Sequence, residues 1–539
     1  MSFIQCLGLA LTYWFRTLSI GYSIRLSDSM FFVGMWIFAG DPVKCAITMA
    51  AITPMFLAFT GAGGTVVWDE WAAKMVGVAV VIASGVTTEQ AVAIAMPVAI
   101  LAAQLHTVRR IWFSVPAQRA DAAALKGNDK AIVWYGGWFC HLSKLVIYAL
   151  PMFLILYFDA EKIGDLMASL PAWINNALSC AGGLLPSLGF AMTIRVIGRP
   201  KFFGFFFAGY FLAEYTGVGG VFLACIGLFA AFIYYLIVDA TTEGGANMFA
   251  TFRIKAEQSD EKHLLTMKDV HGMWWRWQWY CEQSNSFARL QSIAYCISYI
   301  KPLKKLYGHD AEEYSAALQR HLMFFNTEGI WGSVVHGIAL AMEEQRAMGA
   351  PIDVAAITGV KAGLMGPFAG IGDTIDWSTV KPMMIVLFLP MAEQGNMLGL
   401  LLPWITLSIF VSIEGFYFSS LGYKMGTSAA LSILQGGGIN VFISVASVLG
   451  LFMMGGLSSS MVKLSTPIAW TASDGSVFSV QKALDGVLPG LLPLLGVMWT
   501  YNFIMKGNSM TKATLALLAF GVITGAIGIL GDGGLIKFA

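Results

Sequence analysis

The sequence predicts an all-α, polytopic membrane protein made of two helical halves, with broken or re-entrant helices and amphipathic interfacial helices. Three observations carry this. Of 539 residues, 57% are hydrophobic and 12% are charged, about half the charged share of an average soluble domain. The apolar residues gather into runs near the roughly 20-residue length that spans a bilayer as a helix. One polar stretch, 239–271, divides those runs into two sets.

The formal net charge of +1 gives no sign of a nucleic-acid partner. The seven cysteines are scattered, without CxxC or a Cys/His cluster, and read as small packing residues. No metal and no cofactor is expected. P-loop, HExxH and GxSxG patterns are absent, which leaves little for a catalytic reading.

In chain order, the first apolar runs fall at 3–24, 30–60, 72–105, 130–158, 173–197 and 202–238. Met1–Tyr22 lacks the basic start and small-residue cleavage site of a secretory signal, so it is expected to stay as a membrane segment. Interruptions are expected near Pro54 and at Gly61-Ala62-Gly63-Gly64. The connection 106–144 carries Arg109, Arg110, Arg119, Lys126, Lys130 and Lys144 against Asp121 and Asp129, which assigns it to the cytoplasm. Two crossings later Arg195, Arg199 and Lys201 return to that side. Gly217, Gly219 and Gly220 suit a hairpin within 202–238, which brings 239–271 back to the cytoplasm. The expected units are 1–238, a linker at 239–271, and 272–539.

After the linker, Trp274-Trp275-Arg276-Trp277-Gln278-Trp279 suits a helix at headgroup level. A stacking platform for rings is the alternative. In 310–349, Leu318, Leu322 and Phe325 form a helical stripe while Gln319, Arg320, His321 and Asn326 occupy other faces. Glu343, Glu344 and Arg346 close a second helix before Gly349 and Pro351. Two amphipathic helices at a membrane rim are expected, with His321 at the surface or packing a helix. The second set of runs is 353–369, 379–393, 397–420, 437–457, 485–505 and 511–530.

Residues 361–377, KAGLMGPFAGIGDTIDW, are the most informative. Gly366, Pro367, Gly370 and Gly372 are expected to keep the backbone from a plain helix. Backbone groups freed at membrane depth survive only in protein or beside a wet cavity. Ionisable residues there cost about 2.5–3.5 kcal/mol each on insertion scales. Lys361, Asp373, Asp376 and Lys381 therefore read as a transport site.

From Arg320 onward, RHLMFFNT, AMEEQRAMG, GVKAGLMGPFAGIGD and LGLFMMGGL, with PGLLPLL at 489–495, resemble a known family. It is the mannose/fructose/sorbose family of the phosphoenolpyruvate-dependent sugar phosphotransferase system, and the resemblance is to its IID membrane component over most of 265–535. Residues 1–238 resemble its IIC partner through Gly40-Asp41, LAAQLHTVRRIWF before a basic loop, and AGGLLPSLGFAM at 181–192. IIC and IID are usually separate chains; here they are fused through the linker. The first half departs from the family pattern. The Asp-Glu pair expected after the first segment falls near Gly21-Tyr22, and the glutamate of a Leu-Glu-Met run falls at Pro54. The nearest carboxylates are Asp28 and the pair Asp69-Glu70, so Asp69 and Glu70 are substitutes to test.

The resemblance implies import of a hexose or sugar derivative by alternating access, with an elevator-type movement, in the bacterial cytoplasmic membrane. It also implies a homotrimer and soluble IIA and IIB phosphocarriers as partners. The seven histidines are isolated and the linker is too short for a folded phosphohistidine domain. The chain is thus expected to translocate sugar without being an enzyme alone.

Sugars are recognised by carboxylates and amides, with an aromatic ring against the apolar face. Helical spacing would put Asp373, Asp376 and Trp377 on one face. Lys361 could balance a carboxylate or donate to a hydroxyl, and Asn326, Thr327 and Glu343 add polar groups. The structural alternatives are an N-cap for Asp373 after Gly372, a solvated helix end for Glu343 and Glu344, and a structural pair for Lys361. A secondary sugar transporter and a sugar-binding membrane receptor are the other functional readings.

Overall fold

The computed structural model describes residues 1–57, 68–158, 171–197, 200–218, 220–241, 263–286, 289–426, 438–471, 477–508 and 510–531. Helix α1 (Phe3–Leu18) starts in a capping box between Ser2 and Gln5 and stops at Ser19, whose φ is 54°. Helix α2 (Leu26–Phe38) starts behind Arg25. Between them Ser19, Gly21 and Arg25 all have positive φ, at 54°, 65° and 45°. Two of these are not glycine, a rare choice that something must hold in place. Ser27 does part of this: its hydroxyl accepts from the Ile20 amide at 2.8 Å and donates to the Ile20 carbonyl at 3.3 Å.

Helix α3 (Pro42–Ile52) passes into a 3-10 turn at Thr53–Phe56, so the chain is interrupted at Pro54 as expected. Gly61–Gly64 lies outside the described residues. Helix α4 (Glu70–Ser84) is capped by Asp69. The basic connection differs from the expected loop. Helix α5 (Thr88–Trp112) runs on into α6 (Ser114–Ala124), and α7 (Asp129–Gly136) starts the return. The alanine-rich ADAAALK segment has high helix propensity, which narrows the turn to 125–128. The return continues through α8 (Trp138–Lys144) and a π turn to α9 (Leu150–Phe158). Arg109, Arg110 and Lys144 are buried.

Helices α10 (Ala172–Leu184), α11 (Pro186–Ile197), α12 (Phe203–Thr216) and α13 (Gly220–Thr241) complete the first half. Gly217, at φ 61°, ends α12 and Gly220 starts α13, while Gly219 of the expected hairpin lies outside the described residues. The next described helix, α14 (Met267–Tyr280), starts inside the polar stretch with a capping box between Thr266 and Asp269. Within it Trp274 and Trp277 are buried while Trp275 and Trp279 are exposed. Then come α15 (Ser292–Tyr307), α16 (Ala311–His321) and α17 (Ser333–Ala347).

The glycine-rich segment does not break. Helix α18 (Val354–Gly372), a π-helical turn (Asp373–Val380) and α19 (Lys381–Glu393) form one continuous element. None of its glycines has positive φ. Pro and Gly are tolerated inside membrane helices when neighbours and local π adjustments re-satisfy the backbone. Here the adjustment is the π turn, where the Thr379 hydroxyl donates to the Thr374 carbonyl at 2.7 Å. Helices α20 (Leu398–Met425), α21 (Gly438–Met461), α22 (Val480–Val487), α23 (Leu491–Met505) and α24 (Met510–Ile527) follow. A short antiparallel pair, Ala469–Thr471 with Val477–Ser479, precedes α22. Among the described residues, four helical stretches are long and apolar enough to cross a membrane, or five if the bent pair α22–α23 is one span.

The halves interlock. α12 crosses α21 so closely that a Cβ at Gly209 would strike the Phe452 carbonyl, and one at Gly455 the Phe206 carbonyl. α24 lies on α10 through Gly521 and Gly525, against Ala181 and Ala177. Small residues that let backbones approach are the usual basis of helix contact in lipid.

Candidate functional site

The α1–α2 connection carries Tyr22 and Arg25 into the second half. The Tyr22 amide donates to the Gln278 carbonyl at 2.8 Å, and its ring meets Trp377 edge-on at 5.3 Å. Arg25 lies 4.6 Å from the centre of the Trp377 ring and 5.4 Å from that of Trp404. Asp28 anchors the connection through Arg16 and Arg25, each at 2.8 Å. These groups, with Glu282, Asp373, Trp377 and Lys381, line a polar cavity of about 310 Å³ between the halves. That volume is at the small end for ligand sites.

Asp373, Trp377 and Lys381 share this cavity, but Asp376 does not. In the wider π turn it points away, fully buried, and its carboxylate accepts from the Trp331 indole at 3.2 Å. The Asp376 carboxyl faces that of Glu414, within hydrogen-bonding reach when one of the two carries a proton. Glu328 is the third acid of this inner layer. It accepts from the Trp377 indole at 3.1 Å and from the Ile330 and Trp331 amides at 2.8 and 2.7 Å. Burial pushes the Glu328 carboxyl up to about 7, although these donors pull the other way. Trp377 thus has one ring face under Arg25 and its N–H on Glu328, which leaves little of it for a sugar.

Asp373 is not an N-cap. Its backbone is helical, continuing from α18, and its half-buried carboxylate has no hydrogen bond or ion pair among the described residues. Lys381 is 8% exposed and likewise has no ion pair or hydrogen bond among the described residues.

The remaining predicted residues stand elsewhere. Glu343 and Glu344 are buried rather than solvated, at 0% and 2% exposure. Glu343 accepts from Arg320 twice at 2.7 Å, from His321 at 2.8 Å and from the Tyr307 hydroxyl at 2.9 Å. Glu344 accepts from the Leu265 amide at 2.6 Å and from His263 at 3.1 Å, and tethers the entry to α14. Among the described residues Lys361 forms no ion pair with a carboxylate. Its ammonium donates to the Arg320 carbonyl at 3.1 Å and to His321 at 3.3 Å. His321 is therefore buried between Lys361 and Glu343, not at a surface. Thr327 is buried and its amide donates to Gln291 at 2.9 Å; Asn326 is half-buried, and neither lines the cavity.

In the first half Asp69 caps α4 and also accepts from Tyr13 at 2.6 Å and His106 at 2.8 Å. Glu70 stands 3.6 Å from Lys74. Neither reaches the polar cavity. Arg16, Arg25, Asp28, Glu282, Glu328 and Glu414 were the site groups missed in sequence. A signal existed for some of them: Arg16 is a charge set in an apolar run, Arg25 and Asp28 sit in the short gap between two such runs, and Glu414 is the lone carboxylate of 397–420.

A multi-pass all-α protein with a wet, charged cavity between two interlocked halves belongs among membrane permeases. Comparison with known proteins specifies which. The IID component of the PTS mannose/fructose/sorbose family matches residues 264–530, and the PTS sorbose-specific IIC component matches 3–233. The mannose-specific EIID component of Escherichia coli (strain K12) is 34% identical over 283 residues, covering 52% of this chain and 99% of the relative. The fructose permease IID component of Bacillus subtilis (strain 168) is 35% identical, covering 49% and 97%. For the first half, the sorbose-specific EIIC component of Lacticaseibacillus casei is 28% identical over 206 residues, covering 37% and 72%. The chain belongs to the mannose/fructose/sorbose family of the phosphotransferase system and carries IIC-type and IID-type permease components in one polypeptide.

Proposed function

We propose that this chain imports a sugar or sugar derivative across the bacterial cytoplasmic membrane, and that separate soluble IIA and IIB proteins phosphorylate the sugar as it arrives. The observation that carries the reading is the polar cavity between the IIC-type and IID-type halves, where Asp373 and Lys381 have no ion pair or hydrogen bond among the described residues. Charged groups at membrane depth are costly and persist where they serve a pathway. The chain supplies the path and the binding groups; the phosphoryl-carrying histidines belong to the partners. A homotrimer and an elevator-type movement are parts of the same proposal that rest on family resemblance.

Asp373→Asn tests the site. Loss of a charged hydrogen-bond acceptor for a ligand hydroxyl is worth roughly ten- to hundredfold in affinity, so sugar uptake by this variant should fall at least that far while membrane insertion is unchanged. Wild-type uptake would remove Asp373 from the site.

A further inference from the structure

The cavity described above has an unusual charge balance, and the following step rests on the transport reading just proposed. Three cations and three carboxylates line it, but most are already satisfied. Asp28 is held by Arg16 and Arg25, each at 2.8 Å. Glu282 accepts from Asn285 at 2.6 Å and Gln291 at 2.7 Å. The guanidinium of Arg25 also lies against Trp377. Two opposite charges remain without an ion pair or hydrogen bond among the described residues: the carboxylate of Asp373 and the ammonium of Lys381.

Lys381 is more than nine-tenths buried, yet it lines the cavity. Glu70 and Asp28 attract it from a distance, but Glu70 stands 3.6 Å from Lys74 and Asp28 is paired with Arg16 and Arg25, so neither forms an ion pair with it. A buried ammonium without a partner is expensive unless an anion comes to it. Asp373 and Lys381 are eight residues apart on one continuous helical element, on the face that also shows Trp377. Eight residues rise at most about 12 Å. Both side chains open into the same cavity, so one ligand within it can meet both charges.

We infer that the ligand is a zwitterionic sugar derivative, with an ammonium bound by Asp373 and a carboxylate bound by Lys381 on opposite edges of the ring. A neutral hexose would leave both protein charges without an ion pair. A hexosamine or a uronic acid would meet one of them.

The test is equilibrium binding to the purified full chain in lipid nanodiscs with four probes that differ only in these groups: glucose, glucosamine, glucuronate and 2-amino-2-deoxyglucuronate. The zwitterion should bind at least about tenfold tighter than either singly charged probe, and glucose weakest. Lys381→Met should cancel the gain from the carboxylate while keeping the gain from the amine, and Asp373→Asn should do the reverse. This crossed pattern cannot arise from general misfolding. Glucose binding as tightly as the zwitterion, with both variants weakened, would overturn the zwitterion inference and leave the cavity as the sugar site. Tight binding of any probe that neither variant alters would overturn the cavity as the site.

Discussion

Asp373 faces the polar cavity without an ion pair or hydrogen bond among the described residues, whereas Asp28, Glu343 and Glu344 are each held by two or more donors. That contrast separates ligand-binding carboxylates from structural ones more sharply than residue type does. Glu343 is the clearest structural case: the Arg320 fork, His321 and Tyr307 all converge on it in a fully buried place. Its carboxyl is held below the usual 4.5: burial would raise it, and the bonds from Arg320 and His321 outweigh that. Burial, reinforced by the Lys361 ammonium, lowers the His321 imidazole from 6.5 to about 4. The sign of the pH effect follows. Below pH 6.5 the unfolded chain takes up a proton on His321 that the folded chain refuses until about pH 4, so stability falls as pH falls through this window. Glu343 adds a second loss once pH drops below 4.5, where the unfolded carboxylate protonates first. The melting temperature of the detergent-solubilised protein should therefore fall from pH 6.5 to 4, and His321→Gln should make that fall shallower. A variant with the wild-type slope would contradict it. Glu343→Gln, which removes the buried partner of Arg320 and leaves it only the more exposed Glu313 at 3.0 Å, should cost up to about 3–5 kcal/mol at neutral pH by the same measurement. In sequence these residues looked like polar faces of rim helices, because a one-dimensional pattern cannot show that Lys361 and Glu343 close over His321 from two other helices.

At the scale of elements, the continuous 354–393 segment decides where the site groups point. Helical spacing predicted Asp373 and Trp377 on one face, and this survives; the π turn carries Asp376 to the other face, against Trp331 and Glu414. The glycines and Pro367 suggested a break because each is a poor helix former in water. In the membrane the backbone has no better partner than itself, so the helix continues and the irregularity is absorbed in the π turn that directly follows Gly372. The α12–α21 crossing was not legible at all, since Gly209 and Gly455 are ordinary glycines until their opposing carbonyls are known. Gly455→Val should force these helices apart and destabilise the protein by about 1–3 kcal/mol or more, measured as a lower melting temperature in detergent. An unchanged value would mean that the crossing relaxes without loss.

The whole molecule joins two permease components that pack as one. Aromatic contacts bind them near the cavity, with Trp71 and Trp404 ring centres 5.4 Å apart. Ion pairs tie the periphery: Arg289 with Asp121 at 2.7 Å and Lys304 with Asp129 at 3.1 Å. The exposed pairs contribute little; helix packing and the Arg25–Trp377 contact do most of the holding. A protease site placed between residues 242 and 262 should therefore yield two fragments that co-purify and still transport; separation of the fragments on cleavage would show that the covalent link is what holds the halves. Family motifs, the two-half division and the membrane class were legible in sequence because they depend on local composition. The first-half contribution to the cavity was not, because Tyr22 and Arg25 gain their roles only by reaching Gln278 and Trp377 across the interface.

The central claim is that this chain is the sugar path of a phosphotransferase system. Uptake of radiolabelled hexoses, hexosamines and acidic and zwitterionic sugars into vesicles containing the purified chain, with and without enclosed cognate IIA and IIB proteins, the IIA supplied already phosphorylated, tests it most directly. The account predicts phosphorylated sugar inside only when both partners are present, and its loss with Asp373→Asn. Accumulation of free sugar at the same rate without the partners would contradict it.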